Sequence, residues 1–139
     1  MSGILQERVR GLRAYRPRRL VRHVLFAALI VCAAVASALR RFERVEVVGP
    51  SMHPTLGEGD RLVIRRTEKV TAGDLVAFTD AGRIVVKRVH RRHGDRLFVI
   101  GDNLDNSIDS RHFGLISVQM LRGRVVYRYH PPARVGPVR

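Results

Sequence analysis

The sequence predicts an all-β domain, built as a small bent sheet or partly closed barrel, preceded by one amino-terminal transmembrane helix. Three observations carry this prediction. An uncharged apolar run at 24–39 follows a dense block of arginines. Beyond Arg41, apolar residues recur at every second position in short segments separated by Gly- and Asp-rich turns. No segment there has the 3.6-residue period of an amphipathic helix, which leaves a small, strongly bent sheet or a partly closed barrel as the way to bury apolar faces. With 139 residues, 45% of them hydrophobic, the chain has room for one globular domain and one further element.

The first element is the apolar helix. As a helix, 24–39 spans about 24 Å against a hydrocarbon core of about 30 Å, and 20–23 extend it while Arg22 snorkels to the headgroups. Seven arginines precede the run and only Arg40 and Arg41 follow it at once. That asymmetry places the amino end in the cytoplasm and the remainder on the outer side of a cell membrane, as a single-pass protein. Ala36-Ser37-Ala38 has the small-x-small form of an export-signal cleavage site, so removal of this segment stays open as a second reading. The implied organisation is a basic segment 1–19, an anchor 20–41, a β-rich domain 42–130 and a tail 131–139 that frays from Pro131.

Strands are expected at 42–47, 61–66, 75–79, 83–90, 96–100 and 123–129. The turns between them fall at Gly57-Glu58-Gly59-Asp60, Thr71-Ala72-Gly73-Asp74, Asp80-Ala81-Gly82 and His93-Gly94-Asp95, and Pro131-Pro132 ends the last strand. The formal charge of +14 is concentrated at the front: nine arginines and one acid lie up to Arg41. Later basic residues alternate with acids along strands, and without tryptophan there is little to stack bases on, so nucleic acid is not the expected partner. The single Cys32 excludes an intrachain disulfide or a cysteine-based metal site, and no histidine pair has helical metal-ligand spacing. No metal and no cofactor is expected.

Chemistry concentrates in three blocks. In Gly49-Pro50-Ser51-Met52-His53-Pro54, a serine lies between two prolines on backbone that neither continues a helix nor pairs fully in a sheet, so its hydroxyl is presented. A serine needs a base. His53 is too close along the chain to take the proton with good geometry, and His90, His93 and His112 lie in charged or turn contexts. Lys87 is one of only two lysines, the other being Lys69 in a surface turn. Period-two alternation puts Lys87 on one face with Val85 and Val89, where burial would lower its pKa and make it a base. Position alone leaves the alternative of a lysine snorkelling from a strand edge. The third block, at 101–114, reads GDNLDNSIDSRHFG. No register supplies the glycine and glutamate of a calcium loop, whereas Asp109 and Arg111 suit an ion pair and Ser107 could donate its hydroxyl to Lys87.

Together the blocks GPSMHPTL, VVKRV and GDNLDNSIDSRHFG, in that order behind an amino-terminal anchor, resemble the type I signal peptidases, membrane-bound serine proteases with a serine–lysine dyad. The resemblance covers 45–114. It implies Ser51 as nucleophile, Lys87 as general base, Ser107 as the hydroxyl that orients the lysine, and Asp109 with Arg111 as a supporting pair. Gly49, Met52 and Pro54 would belong to the oxyanion and substrate loop. The implied activity is removal of signal peptides from exported precursors, bound as extended strands with small residues beside the cut, by a monomer in contact with the lipid bilayer. Two features depart from larger members. Gly49 stands where some carry a serine that helps hold the oxyanion, so backbone N–H groups would do this and Gly49→Ser is expected to be tolerated. One hairpin replaces a second β domain between Lys87 and Gly101, which makes this a minimal version. Such small members also resemble maturation peptidases for a single precursor, such as that of nickel superoxide dismutase. A self-cleaving regulator or a non-catalytic membrane-tethered β module are the readings from other classes.

Overall fold

A computed structural model describes residues 17–138. The basic residues expected at 8–16 lie outside the described residues. Two units are described separately, one ending at Leu39 and one beginning at Arg40. The first contains helix α1, Pro17–Leu39. Proline suits a helix start because its missing N–H would be unpaired there in any case. Within α1, Arg19–Leu39 is 21 residues long and apolar enough to cross a membrane, so the helix begins earlier than the uncharged run and reaches a full span.

The second unit is an antiparallel sheet. Its strands are β1 (Phe42–Glu46), β2 (Arg61–Arg65), β3 (Leu75–Asp80), β4 (Arg83–His93), β5 (Arg96–Ile100), β6 (Ile116–Ser117), β7 (Leu121–His130) and β8 (Gly136–Pro137). They lie in the order β1-β2-β7-β3-β4-β5-β6, with β8 on β7. The sheet is bent but not closed, since β1 and β6 end it without pairing. All six expected strands are present. The two-residue β6 and β8, and the four-residue helix α2 (Ser110–Phe113), are too short to leave a period in the sequence.

The central strand β3 shows how the sheet is buried. Leu75 and Ala77 point into one apolar cluster while Val76 and Phe78 point into another, so both faces are covered and the strand reads as an unbroken apolar run. Strand β4 is divided in the same way, with Val86 in the first cluster and Val89 in the second. Its pairing is divided too. Residues 83–88 pair with β3 on one side, whereas β5 takes the opposite side only from Arg88 onward. The outer edge of 83–87 is therefore free of any strand among the described residues, and so is the edge of β1 turned away from β2.

The tail does not fray. Residues 132–134 form a 3-10 turn, β8 pairs with β7, and Val138 packs on the first cluster. The anchor is Asp60, 1% exposed, whose carboxylate accepts from Gly57 N at 3.0 Å, Arg128 Nη1 at 3.1 Å and Arg134 Nη2 at 2.6 Å. A buried carboxylate needs such donors, and one of them comes from the tail. Deleting 132–139 is expected to lower the unfolding free energy of the sheet domain by about 1–3 kcal/mol, through Asp60 left short of a donor and β8 lost. Urea unfolding of the full chain in non-ionic detergent measures this, and an unchanged midpoint would show the tail to be unattached.

Candidate active site

Ser51 lies on the turn between β1 and β2. Met52 and Leu56, 1% and 0% exposed, sink into the first apolar cluster, and the turn closes through His53 N to Pro50 O at 3.0 Å and Leu56 N to Met52 O at 2.9 Å. With its neighbour buried, Ser51 is left half-buried at the surface, and its hydroxyl hydrogen-bonds to none of the described residues. Gly49 has φ +81°. This revises one expectation: a side chain there meets open space, yet the left-handed backbone strains any L residue by about 1–2 kcal/mol, so Gly49→Ser carries a backbone cost.

Lys87 is 3% exposed and Ser107 7%. Val85 and Val89, its neighbours on the same face, both pack in the second cluster, which decides against a snorkelling lysine. Its Nζ donates to Ser107 Oγ at 3.0 Å, and Ser107 Oγ donates to Asp109 Oδ2 at 2.7 Å. The expected direction of the first bond is thus reversed. A hydroxyl has one proton, a carboxylate is the stronger acceptor, and the lone pair left on Ser107 receives the lysine.

Burial holds the Lys87 pKa below its ordinary value of 10.5; the Asp109 charge pulls it up and the Arg111 charge pushes it down again. For Asp109, 0% exposed, burial alone would raise the pKa. Hydrogen bonds from Arg111, Gly101 N and Ser107 outweigh that and hold the carboxyl well below the usual carboxylate range. Arg111 reaches it through Nε at 2.8 Å and Nη2 at 2.9 Å, and Gly101 N at 2.9 Å. Asp109 also caps α2, with His112 Nδ1 accepting from Asp109 N at 3.4 Å, so His112 serves the backbone. His53 and His90 are exposed, the latter edge-on to Phe98. Lys69 is exposed as expected.

The serine turn and the lysine cluster meet through residues whose individual parts were not legible in the sequence. Asn103 donates its N to Ser51 O at 3.0 Å and its Nδ2 to Pro50 O at 3.2 Å. Beside it, Asp102 receives Arg88 through Nε at 2.8 Å and Nη2 at 2.7 Å. Arg88 follows Lys87 on β4, so this fork ties the lysine strand to the loop, and Asn103 ties the loop to the serine turn. Ser110 Oγ, buried, accepts from Val99 N at 2.9 Å. Gly101 is the tightest point: a Cβ there would lie 2.2 Å from Ser107 Oγ and 2.5 Å from Ser51 O. A glycine directly after an apolar strand and before a polar loop was the available signal.

Beside Ser51 is a cleft of about 220 Å³, lined by 46–48, Ser51 and Met52 on one wall and 83–86 on the other. The second wall is the free edge of β4, and the first starts at Glu46, the last residue of β1, and continues into the serine turn. Gly49 and Pro54 are outside its lining, with Pro54 exposed.

Gly101→Ala is expected to cost about 1–3 kcal/mol by overpacking, since backbone and a buried hydroxyl must both yield. Thermal unfolding followed by circular dichroism tests it, and an unchanged Tm would contradict the close packing of Gly101 on Ser51 and Ser107.

Residues 34–126 match the family model described as Peptidase S24-like. The chain is 30% identical to the mitochondrial ATP-independent inner membrane protease subunit 1a of Arabidopsis thaliana, over 84% of this chain and 88% of that protein. It is 27% identical to the probable signal peptidase I-1 of Synechocystis, over 78% of this chain and 83% of that protein. Thylakoidal processing peptidase 1 of Arabidopsis thaliana is 24% identical over 79% of this chain and 48% of its own length. The matched region takes in the serine turn, the lysine strand and the 101–114 loop, and the chain belongs to the Peptidase S24-like family as a signal-peptidase-like protease.

Proposed function

We propose that this protein is a membrane-anchored serine endopeptidase that removes signal peptides from exported precursors, with Ser51 as nucleophile and Lys87 as general base. The observation that carries this reading is Lys87 itself, 3% exposed on an apolar face with its pKa depressed by burial and one N–H committed to Ser107. A neutral amine so held has its lone pair free to take a proton, and guanidinium could not replace it.

The reaction proceeds in two halves. Neutral Lys87 takes the Ser51 proton as Oγ attacks the scissile carbonyl, and backbone N–H groups, including that of Ser51, hold the oxyanion. The resulting ammonium donates its proton to the departing amine, which leaves an acyl-enzyme on Ser51. Lys87, neutral again, then activates water to release the acyl group. The substrate adds as an extended strand in the cleft, where the free edges of β1 and of 83–87 offer unpaired backbone donors and acceptors. The anchor is α1, with the amino end in the cytoplasm as the arginine asymmetry requires. Ser51 follows the span by twelve residues, a tether that suits substrates which are themselves held at the membrane.

Purified full chain in detergent, given a precursor whose signal peptide ends in Ala-x-Ala, should cleave it in trans. Ser51→Ala and Lys87→Ala should lose activity by at least about a hundredfold while keeping the circular dichroism of the parent. Lys87→Arg should fail equally, and substantial activity in that variant would remove Lys87 as the base.

The pH profile follows from the sign of the lysine shift. A base works when deprotonated, so kcat/KM should rise with pH through a midpoint below the ordinary lysine value of 10.5. A rise that vanishes in a histidine variant and persists unchanged in Lys87→Ala would assign the proton transfer elsewhere.

A further inference from the structure

We infer that the end of the sheet where β1 begins is a docking surface for anionic lipid headgroups, built from Arg40, Arg41, Arg65, Arg66 and Arg122. The inference rests on the reading of α1 as a membrane anchor and adds a lipid preference that neither the anchor nor the cleavage reaction requires.

Three stretches of the chain meet at this end. β1 starts at Phe42 opposite Arg65, the last residue of β2, and Arg65 in turn stands opposite Arg124 near the start of β7. Arg66 N donates to Arg41 O at 2.7 Å, which holds the residue before β1 beside the residue after β2. Gly123 brings β7 against the same place, since a Cβ on it would lie 2.3 Å from Arg65 O. Glu43 accepts from Arg66 Nη2 at 3.3 Å and from Arg122 Nη2. Arg66, Thr67, Glu68, Leu121 and Arg122 line a cavity of about 390 Å³. Apolar side chains stand among these cations, with Phe42 47% and Met120 38% exposed.

The sign follows from all the charges placed here. The five arginines meet two carboxylates, Glu43 and Glu68, which leaves a positive excess. Glu68 is followed by Lys69, and its carbonyl accepts from Arg92 Nη1 at 2.8 Å, so the loop after β2 brings no surplus of acid. The pairs flanking this end are neutral: Arg124 has Asp74 at 3.3 Å, and Arg83 stands opposite Asp80 in the β3–β4 register. Arg40, Arg41 and Arg65 are exposed and have no carboxylate within ion-pair distance among the described residues. The occupant follows from where the chain leads. Only Arg40 separates Leu39, the last residue of α1, from Arg41, and two residues span at most about 7 Å. A surface on so short a tether to a membrane-crossing helix meets the headgroup layer, where lipid phosphate is the counter-charge at hand. Guanidinium matches phosphate with a fork of donors, and exposed Phe42 and Met120 suit the apolar side of that layer.

The test uses the full chain in nanodiscs, with Cys32→Ser and a fluorophore on Met120→Cys, and reads quenching of the fluorophore by a headgroup-labelled lipid. Quenching should be stronger in discs of phosphatidylcholine with about 30% phosphatidylglycerol than in phosphatidylcholine alone. Salt at about 0.5 M should remove the difference. Arg41→Gln with Arg65→Gln, which leaves both pairs of Glu43 intact, should lower the ratio of docked to undocked protein in the anionic discs by up to about fivefold for each arginine removed. The matched change Arg91→Gln with Arg96→Gln, on exposed arginines of the β4–β5 hairpin, should leave that ratio unchanged. Equal quenching in the two lipids, or an equal loss in the two double variants, would overturn the inference while leaving the anchor in place. A chain that fails to insert into the discs counts against the anchor reading. The lipid preference is then read from sedimentation of the parent and both double variants with vesicles of the two compositions, where equal sedimentation of all three would overturn it.

Discussion

A lysine kept out of water without a carboxylate in direct contact is the constraint on which the rest of the domain depends. Had Asp109 touched Lys87 directly, the pair would have held the ammonium form. Ser107 stands between them, accepting from one and donating to the other. Arg111 meanwhile occupies both carboxylate oxygens, so the pull of Asp109 on the lysine is offset by the push of the guanidinium. Burial then remains the dominant influence on Lys87 and favours the neutral amine. An ion pair placed one hydroxyl away thus fixes the lysine in position without committing it to a charge.

That arrangement imposes demands on the loop around it. Asp109 must be fully buried and fully bonded, which it achieves by capping α2, by accepting from Gly101 N and by receiving both arms of Arg111. Gly101 must have no side chain, because Ser107 Oγ and Ser51 O occupy the space a Cβ would take. The same glycine therefore packs the lysine cluster against the serine turn. Arg88 with Asp102, and Asn103 with the carbonyls of Pro50 and Ser51, hold the two parts together from either side. Side chains positioned by shared packing and hydrogen bonds of this kind are pre-organised for chemistry before any ligand arrives.

The incomplete sheet belongs to the same design. Strand β4 gives its first half to β3 and its second half to β5, so the segment that ends at Lys87 keeps one edge unpaired. An unpaired edge invites aggregation, and here it is short and sits in a cleft whose other wall runs from the end of β1 into the serine turn. In the proposed function, a strand inserted there would pair with the open edge of β4, and backbone pairing of that kind tolerates many sequences.

What the sequence by itself determined is local in character. Alternation placed the six longer strands, the uncharged run placed a helix long and apolar enough to cross a membrane, and the shared face of Lys87 with Val85 and Val89 pointed to a buried lysine, because each of these is a pattern along neighbouring residues. The order of the three blocks was enough to indicate the family. Tertiary structure alone decided the direction of the Lys87–Ser107 bond, the tight fit of Gly101, the Arg88–Asp102 fork and the docking of the tail through Arg134 on Asp60. The last of these joins residues 74 apart in the chain, and Asn103 reaches Pro50 across 53. Contacts at such separations leave no period in the sequence. They depend on how the bent sheet brings its edges together, and so does the open segment of β4 beside which Ser51 and Lys87 lie.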